Sequence, residues 1–198
     1  MTVRLPGWRL ALPLAAFLLG LAALGWAAWL TLAPQAQVTA AGVGGPFSLV
    51  DQDGRAVTDR DYRGAPKLVF FGFTHCPDVC PTTLQQASEV LRALGPKGDR
   101  LRFLFVTVDP ERDTAPVLKD YLGSFDPRIV GLTGTPEQVA ATTRAYRAYA
   151  KRVPLKDGDY TMEHTALVYL MDGENRFVGS FNLARPPEAA AAELAKRL

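Results

Sequence analysis

Cys76 and Cys80 are the only thiols in a chain of 198 residues, and they stand four positions apart just after an apolar run, Lys67-Leu-Val-Phe-Phe-Gly-Phe73. The run predicts a strand buried on both faces, and a helical pattern begins behind the cysteines at Pro81 or Thr82. Thiols at such a junction can exchange disulfides, bind a metal or bridge to one another. Residues four apart on one helical turn have Cα atoms roughly 6 Å apart, so a Cys76–Cys80 bridge is feasible. As a staple it is poor, because it closes a tiny loop and removes little unfolded-state entropy. A helix N-terminus favours thiolate, which both redox exchange and metal ligation require, so acidified thiols are expected under either chemistry. Redox pairs of the C-x-x-C kind have two intervening residues. Here Pro77, Asp78 and Val79 intervene, and the longer spacing sets the sulfurs side by side on a helical face, which favours pinching a metal without excluding disulfide chemistry.

Two histidines are present, His75 and His164. His75 adjoins Cys76, and adjacent side chains do not face each other on a helix or strand, so it reads as a partly exposed loop residue. His164 precedes a predicted central strand. Its plain reading is a hydrogen-bonded loop histidine; as a ligand it would join two thiolates in a soft, three-coordinate set suited to Cu(I). A structural zinc site normally takes four protein ligands, and there is no third cysteine.

The elements that must bring these residues together follow from periodicity. Phe47–Val50 and Arg55–Thr58 flank the turn-rich Asp51-Gln-Asp-Gly54 and read as a hairpin. Thr82–Leu94 is an amphipathic helix, Leu101–Val108 a second buried strand, and Asp109–Asp113 a turn into a short helix with Val117, Leu118, Tyr121 and Leu122 inward. Ile129–Leu132 is a short strand, and Thr135-Pro-Glu-Gln138 is a capping box opening a helix to about Ala148. Tyr160–His164 reads as a loop, Thr165–Met171 and Arg176–Phe181 as an antiparallel pair turning at Asp172-Gly173, and Glu188–Leu198 as a final helix. This order describes an α/β, thioredoxin-like sandwich with an N-terminal β-hairpin extension. In such sheets ligands gather beyond the carboxyl ends of the parallel strands, where Cys76, Cys80 and the Asp109–Asp113 loop fall. In this fold the loop carrying His164 faces the start of the first helix.

One transmembrane helix is expected before this domain. Leu10–Ala33 is uncharged, and at about 1.5 Å rise per residue it spans the roughly 30 Å hydrocarbon core. Trp8, Trp26 and Trp29 lie towards its ends, and Arg4 and Arg9 precede it, which predicts a cytoplasmic N-terminus. The competing reading is a cleaved signal ending at Val38-Thr-Ala40, but the apolar run is too long for one. The expected organisation is therefore 1–9 cytoplasmic, 10–33 membrane anchor, 34–44 linker and 45–198 domain, with a single pass through a bacterial inner membrane and the domain in the periplasm. Arg4 and Arg9 account for the whole excess of the 22 basic over the 20 acidic groups, since residues 1–50 contain no acid. A balanced domain has no electrostatic footprint for nucleic acid. Beyond the cysteines there is no acid/base pair or phosphate-cradling glycine loop of the kind that small-molecule turnover needs.

The stretches Phe71-Gly-Phe-Thr-His-Cys-Pro-Asp-Val-Cys-Pro81, Val106-Thr-Val-Asp-Pro-Glu-Arg-Asp113, Gly131-Leu-Thr-Gly134 and His164-Thr-Ala166 closely resemble the Sco/SenC family, membrane-anchored copper proteins that assist assembly of the CuA centre of cytochrome c oxidase. The resemblance covers about Gly45 to Pro187 together with the anchor. It implies copper, as Cu(I) with Cu(II) left open, held by Cys76, Cys80 and His164. It also implies a CuA-bearing oxidase subunit as recipient and a separate copper donor protein. The family commonly has aspartate before the ligand histidine where this chain has Glu163, so that carboxylate is kept but its hydrogen bond to the site can differ. Asp78, between the cysteines, can tune the site or dock a partner, and reads equally as a solvent-facing turn acid. A metallochaperone is the expectation. The alternative is a thiol–disulfide oxidoreductase that acts on oxidase-subunit cysteines through Cys76 and Cys80 without carrying copper itself.

Overall fold

The computed structural model describes residues 19, 20, 22, 42–156 and 158–198. The chain divides into two units, 1–41 and 42–198, of which the second is compact. Among the described residues no helix is long and apolar enough to cross a membrane, and the predicted anchor lies almost wholly outside them.

The main sheet of the second unit has seven strands: β1 (Ser48–Asp51), β2 (Ala56–Thr58), β3 (Lys67–Gly72), β4 (Arg102–Thr107), β5 (Ile129–Thr133), β8 (Val168–Met171) and β9 (Phe177–Ser180). Their order is β2-β1-β5-β4-β3-β8-β9. β3 runs parallel to β4 and β4 to β5, while β8 is antiparallel to β3 and β9 to β8. All six residues of β3 are buried. Burial of both faces explains why its sequence is continuously apolar instead of alternating. The predicted N-terminal hairpin exists and extends the sheet beyond β5. Its turn is closed by Asp51, whose Oδ1 accepts the Asp53 and Arg55 amides, each at 2.9 Å.

Among the described residues of this unit, four α-helices flank the sheet: α1 (Val79–Leu94), α2 (Ala115–Leu122), α3 (Pro136–Ala145) and α4 (Pro187–Ala195). α1 packs beside α4, and α2 lies against β5. α3 opens with the predicted capping box: the Thr135 side chain accepts the Gln138 amide, and Gln138 Oε1 accepts the Thr135 amide. The helix stops at Ala145, three residues short of the expected Ala148, because Arg147 adopts a left-handed φ of 52°. Val117 is 39% exposed instead of inward, since only Leu118 and Leu122 of α2 are buried.

Two departures bear on function. α1 begins at Val79, ahead of the expected Pro81; a proline in the first turn is tolerated because no intrahelical partner awaits its missing N–H. Tyr160–His164, expected as a loop, is strand β7. It pairs antiparallel with β6 (Ala150–Pro154) in a separate two-stranded sheet. β6 is charged and mostly exposed, so it lacks the apolar pattern by which a strand is read from sequence.

Candidate metal centre

β3 ends at Gly72, and the chain turns through Phe73–Asp78 before α1. Cys76 lies in this turn, half-buried, and its amide donates to the Phe73 carbonyl at 3.3 Å. Cys80 lies in the first turn of α1 and is fully buried. The cysteines therefore do not share a helical face as the spacing suggested. They fold together across the helix start, and the Cys80 amide donates to Cys76 Sγ at 3.4 Å. A Cβ on Gly72 would sit 2.8 Å from Cys80 Sγ and 2.6 Å from the Phe105 ring. Only glycine lets the strand pass that close to the sulfur.

The turn is tied down by Asp113, which is wholly buried. Its carboxylate accepts the Thr74 amide at 3.0 Å, the Thr74 hydroxyl at 2.6 Å and the Thr107 hydroxyl at 2.6 Å. Burial still raises its pKa above the ordinary carboxylate range against the lowering effect of these bonds. The Asp113 carboxylate thus serves the geometry of the turn.

His164, the last residue of β7, brings Nε2 to 3.5 Å from Cys80 Sγ. Its Nδ1 lies 3.2 Å from the Thr165 carbonyl. A carbonyl only accepts, so a neutral ring bonded to it through Nδ1 presents the Nε2 lone pair to the sulfur. The rings of Phe70 and Phe73 stand edge-on to the imidazole at 6.1 and 5.7 Å. Burial between them lowers the His164 pKa below the usual imidazole value and keeps the ring neutral. The ligand atoms of Cys76, Cys80 and His164 all lie within 4.8 Å of one another.

Helix-start acidification of the thiols is not what the structure gives at Cys80, where burial pushes the thiol strongly up. Proton loss from that sulfur is coupled to something that replaces the proton's charge, such as a bound cation. The donor set fits one: two sulfurs and one neutral imidazole make a soft, low-coordinate site. His75 is exposed and turned to the Thr74 hydroxyl at 3.1 Å.

The two acids named beside the ligands stand outside this group of donors. Asp78 is exposed at the start of α1, where its Oδ1 accepts the Thr82 hydroxyl at 3.4 Å. Glu163 is exposed on β7 and accepts the Tyr149 hydroxyl at 3.4 Å. Sequence reasoning did not assign a role to Gly72, although a glycine inside an apolar strand is itself a signal of close approach. Nor did it foresee the Tyr121 hydroxyl, buried without a hydrogen-bond partner among the described residues. A cleft of about 420 Å³ between α3 and the β6–β7 hairpin, lined by Val139, Thr143, Tyr149, Arg152 and Met162 among others, does not include the three donors.

A thioredoxin-like sheet with a dithiol at the first strand–helix junction and an imidazole brought to it from a distant hairpin defines a thiol-based metal or redox protein. The relatives narrow this. Residues 35–198 match the SCO1/SenC family model, and the chain belongs to that family. Among solved structures it is similar to Bradyrhizobium japonicum ScoI with copper bound, at 58% identity and a TM-score of 0.77, covering 79% of this chain and 100% of that one. Yeast Sco1 with copper bound is 37% identical, with a TM-score of 0.71 and coverage of 78% and 87%. Among curated proteins, the mitochondrial SCO1 homolog of Mus musculus is 40% identical over 159 residues, or 79% of this chain. This chain spans 56% of that relative's length and 42% of the Arabidopsis thaliana SCO1 homolog 1.

Proposed function

We propose that this protein is a membrane-anchored metallochaperone that binds copper through Cys76, Cys80 and His164 and delivers it to the CuA site of cytochrome c oxidase. The observation that carries the reading is the convergence of two sulfurs and one imidazole nitrogen within 4.8 Å, in a family whose members from Bradyrhizobium japonicum and yeast have been solved with copper bound. Copper here is cargo. Half-buried Cys76 offers the incoming or departing ion a first sulfur, and buried Cys80 with His164 shields it from water. Transfer by ligand exchange suits Cu(I), whose low coordination number lets a recipient's donors replace these one at a time.

Anaerobic Cu(I) titration of the purified chain tests this. A single ion should bind, the double variant Cys76→Ser, Cys80→Ser should lose it, and His164→Ala should weaken it. Binding by the double variant as tight as that of wild type would refute the assignment. Asp78 and Glu163 are expected to act on partner docking or site tuning, so their amide variants should alter transfer to a recipient more than binding. Anchoring by residues 10–33, with the domain in a bacterial periplasm, is supported by the uncharged Leu10–Ala33 run behind Arg4 and Arg9. Alkaline extraction of membranes would release the protein if no such anchor existed.

A second reading, reduction of the recipient's cysteines, is favoured by the Cys80 amide contact to Cys76 Sγ, which keeps the two sulfurs close enough to pair. Thiolate attack by Cys76 on a recipient disulfide would form a mixed disulfide. Cys80 would then resolve it, leaving the recipient dithiol and a Cys76–Cys80 bridge. Copper binding weakened with exchange fully retained in His164→Ala would separate the two roles.

A further inference from the structure

His164 reaches Cys80 from a hairpin that is not part of the main sheet. One set of contacts ties its two arms together, and a second fixes it to the rest of the domain. At its base the Thr165 amide donates to the Tyr149 carbonyl at 3.0 Å, and the Tyr149 amide donates to Thr165 Oγ1 at 2.8 Å. At the far end of β7 the Tyr160 ring lies between two guanidiniums, Arg112 at 3.7 Å and Arg152 at 3.5 Å from its centroid. The Tyr160 hydroxyl donates to Asp109 Oδ1 at 2.8 Å, and Arg112 donates through Nε to Asp109 Oδ2 at 2.5 Å and through Nη1 to the Tyr160 carbonyl at 3.0 Å. Asp109 is itself buried, and its amide donates to Thr107 Oγ1 at 2.9 Å. The grip on Tyr160 is thus continuous with the end of β4, beside the Asp113 clamp on the cysteine turn.

Side chains two apart share a face of a strand. Tyr160, Met162 and His164 therefore point the same way, and fixing Tyr160 fixes the twist and register with which β7 delivers the imidazole. The partner strand supports this, since Arg152 pairs with Met162 in the ladder and its guanidinium reaches Glu111 at 2.9 Å.

We propose that Arg112, Tyr160 and Arg152, held by Asp109, form a latch that positions His164 against the cysteine pair. They are positioning residues and none of them is a ligand. The inference rests on the copper reading only for the choice of probe ion, because hairpin order is measurable without metal.

The test uses the full chain and three variants. Tyr160→Leu removes the stack and the hydroxyl, Tyr160→Phe removes only the hydroxyl, and Arg112→Lys keeps the charge but not the planar fork. Without metal, amide hydrogen exchange at Thr161–Thr165 should be about tenfold faster in Tyr160→Leu, with α1 and β3 unchanged, and nearer wild type in Tyr160→Phe. Loaded with Cu(I), the leucine variant should keep its sulfur ligation while the imidazole signal in X-ray absorption falls to that of His164→Ala. Hairpin exchange equal to wild type overturns the latch, as does exchange that rises equally throughout the chain. A loosened hairpin that keeps its full imidazole signal overturns the positioning role. Failure of wild type to bind Cu(I) would instead refute the copper reading, and the exchange result would still decide whether the latch exists.

Discussion

β3, all six of whose residues are buried, delivers the cysteines, whereas β6, with four of five residues exposed, supports the strand that delivers the histidine. The sulfur side is held by core packing around Gly72 and by a buried carboxylate. The imidazole side is held by two stacked arginines, one of them paired with buried Asp109, and by hydrogen bonds along a mostly exposed hairpin. Tight packing forces a unique position, while surface contacts worth little individually permit local opening. Under the proposed carrier role, which requires an ion to be both held and released, the division places easy opening on one donor of the three.

The largest expected effect breaks the rigid side. Gly72→Val would drive a branched side chain into Cys80 Sγ and the Phe105 ring, which lie only 2.8 and 2.6 Å from where its Cβ would sit. Overpacking of this kind costs about 3 kcal/mol. Urea unfolding should show it as a fall in midpoint. A variant as stable as wild type would mean that the strand does not hold the sulfur by packing.

Next comes Asp113→Ala. It leaves the Thr74 amide and the Thr107 hydroxyl without their buried acceptor, which costs about 2 kcal/mol. Cys76 alkylation should also accelerate, because the turn carrying it has lost its tie. Unchanged alkylation with lowered stability would assign Asp113 to the fold alone and not to the cysteine turn.

The rigid side was legible because burial and chemistry coincide there. Lys67–Phe73 is apolar, the two cysteines follow it directly, and a helical period follows them, so local pattern carries most of the information. Even so, the pattern misplaced the helix start and put both sulfurs on one helical face, because a proline in a first turn looks like a boundary. The hairpin was not legible as structure. Ala150–Pro154 is charged and exposed, and what orders it is a set of contacts between Arg112, Tyr160 and Arg152, which no period in the sequence announces. His164 could be named by elimination, by the expected place of its loop in the fold and by resemblance. The expected Cys80 acidity failed for a related reason: helix position is read from sequence, but complete burial beneath the strand is a tertiary property.

Smaller effects belong to the surface side. Arg152→Ala removes one face of the Tyr160 stack and an ion pair to Glu111 whose partners are 54% and 58% exposed. Global stability should change by less than about 1 kcal/mol. Cleavage by trypsin after Lys156, exposed near the hairpin tip, should nonetheless quicken, since nicking there needs only local opening. A large loss of global stability would show that the hairpin belongs to the same cooperative unit as β3, and the contrast between the two sides would collapse.

The smallest effect is a slope with pH in the protein stripped of metal. Burial lowers the His164 pKa from the ordinary imidazole value of 6.5. Below about pH 6.5 the unfolded chain takes up a proton that the folded imidazole refuses, so stability present above that pH is lost as pH falls toward the folded value. In NMR the His164 ring should titrate below about 6.5, the reference for free imidazole. The pH dependence of unfolding between neutral and mildly acidic solution should flatten in His164→Gln, which carries no titrating group. A midpoint at or above the reference would mean that the ring is solvated in solution. The surface side would then be open most of the time, and the imidazole would join the sulfurs only when an ion draws it in.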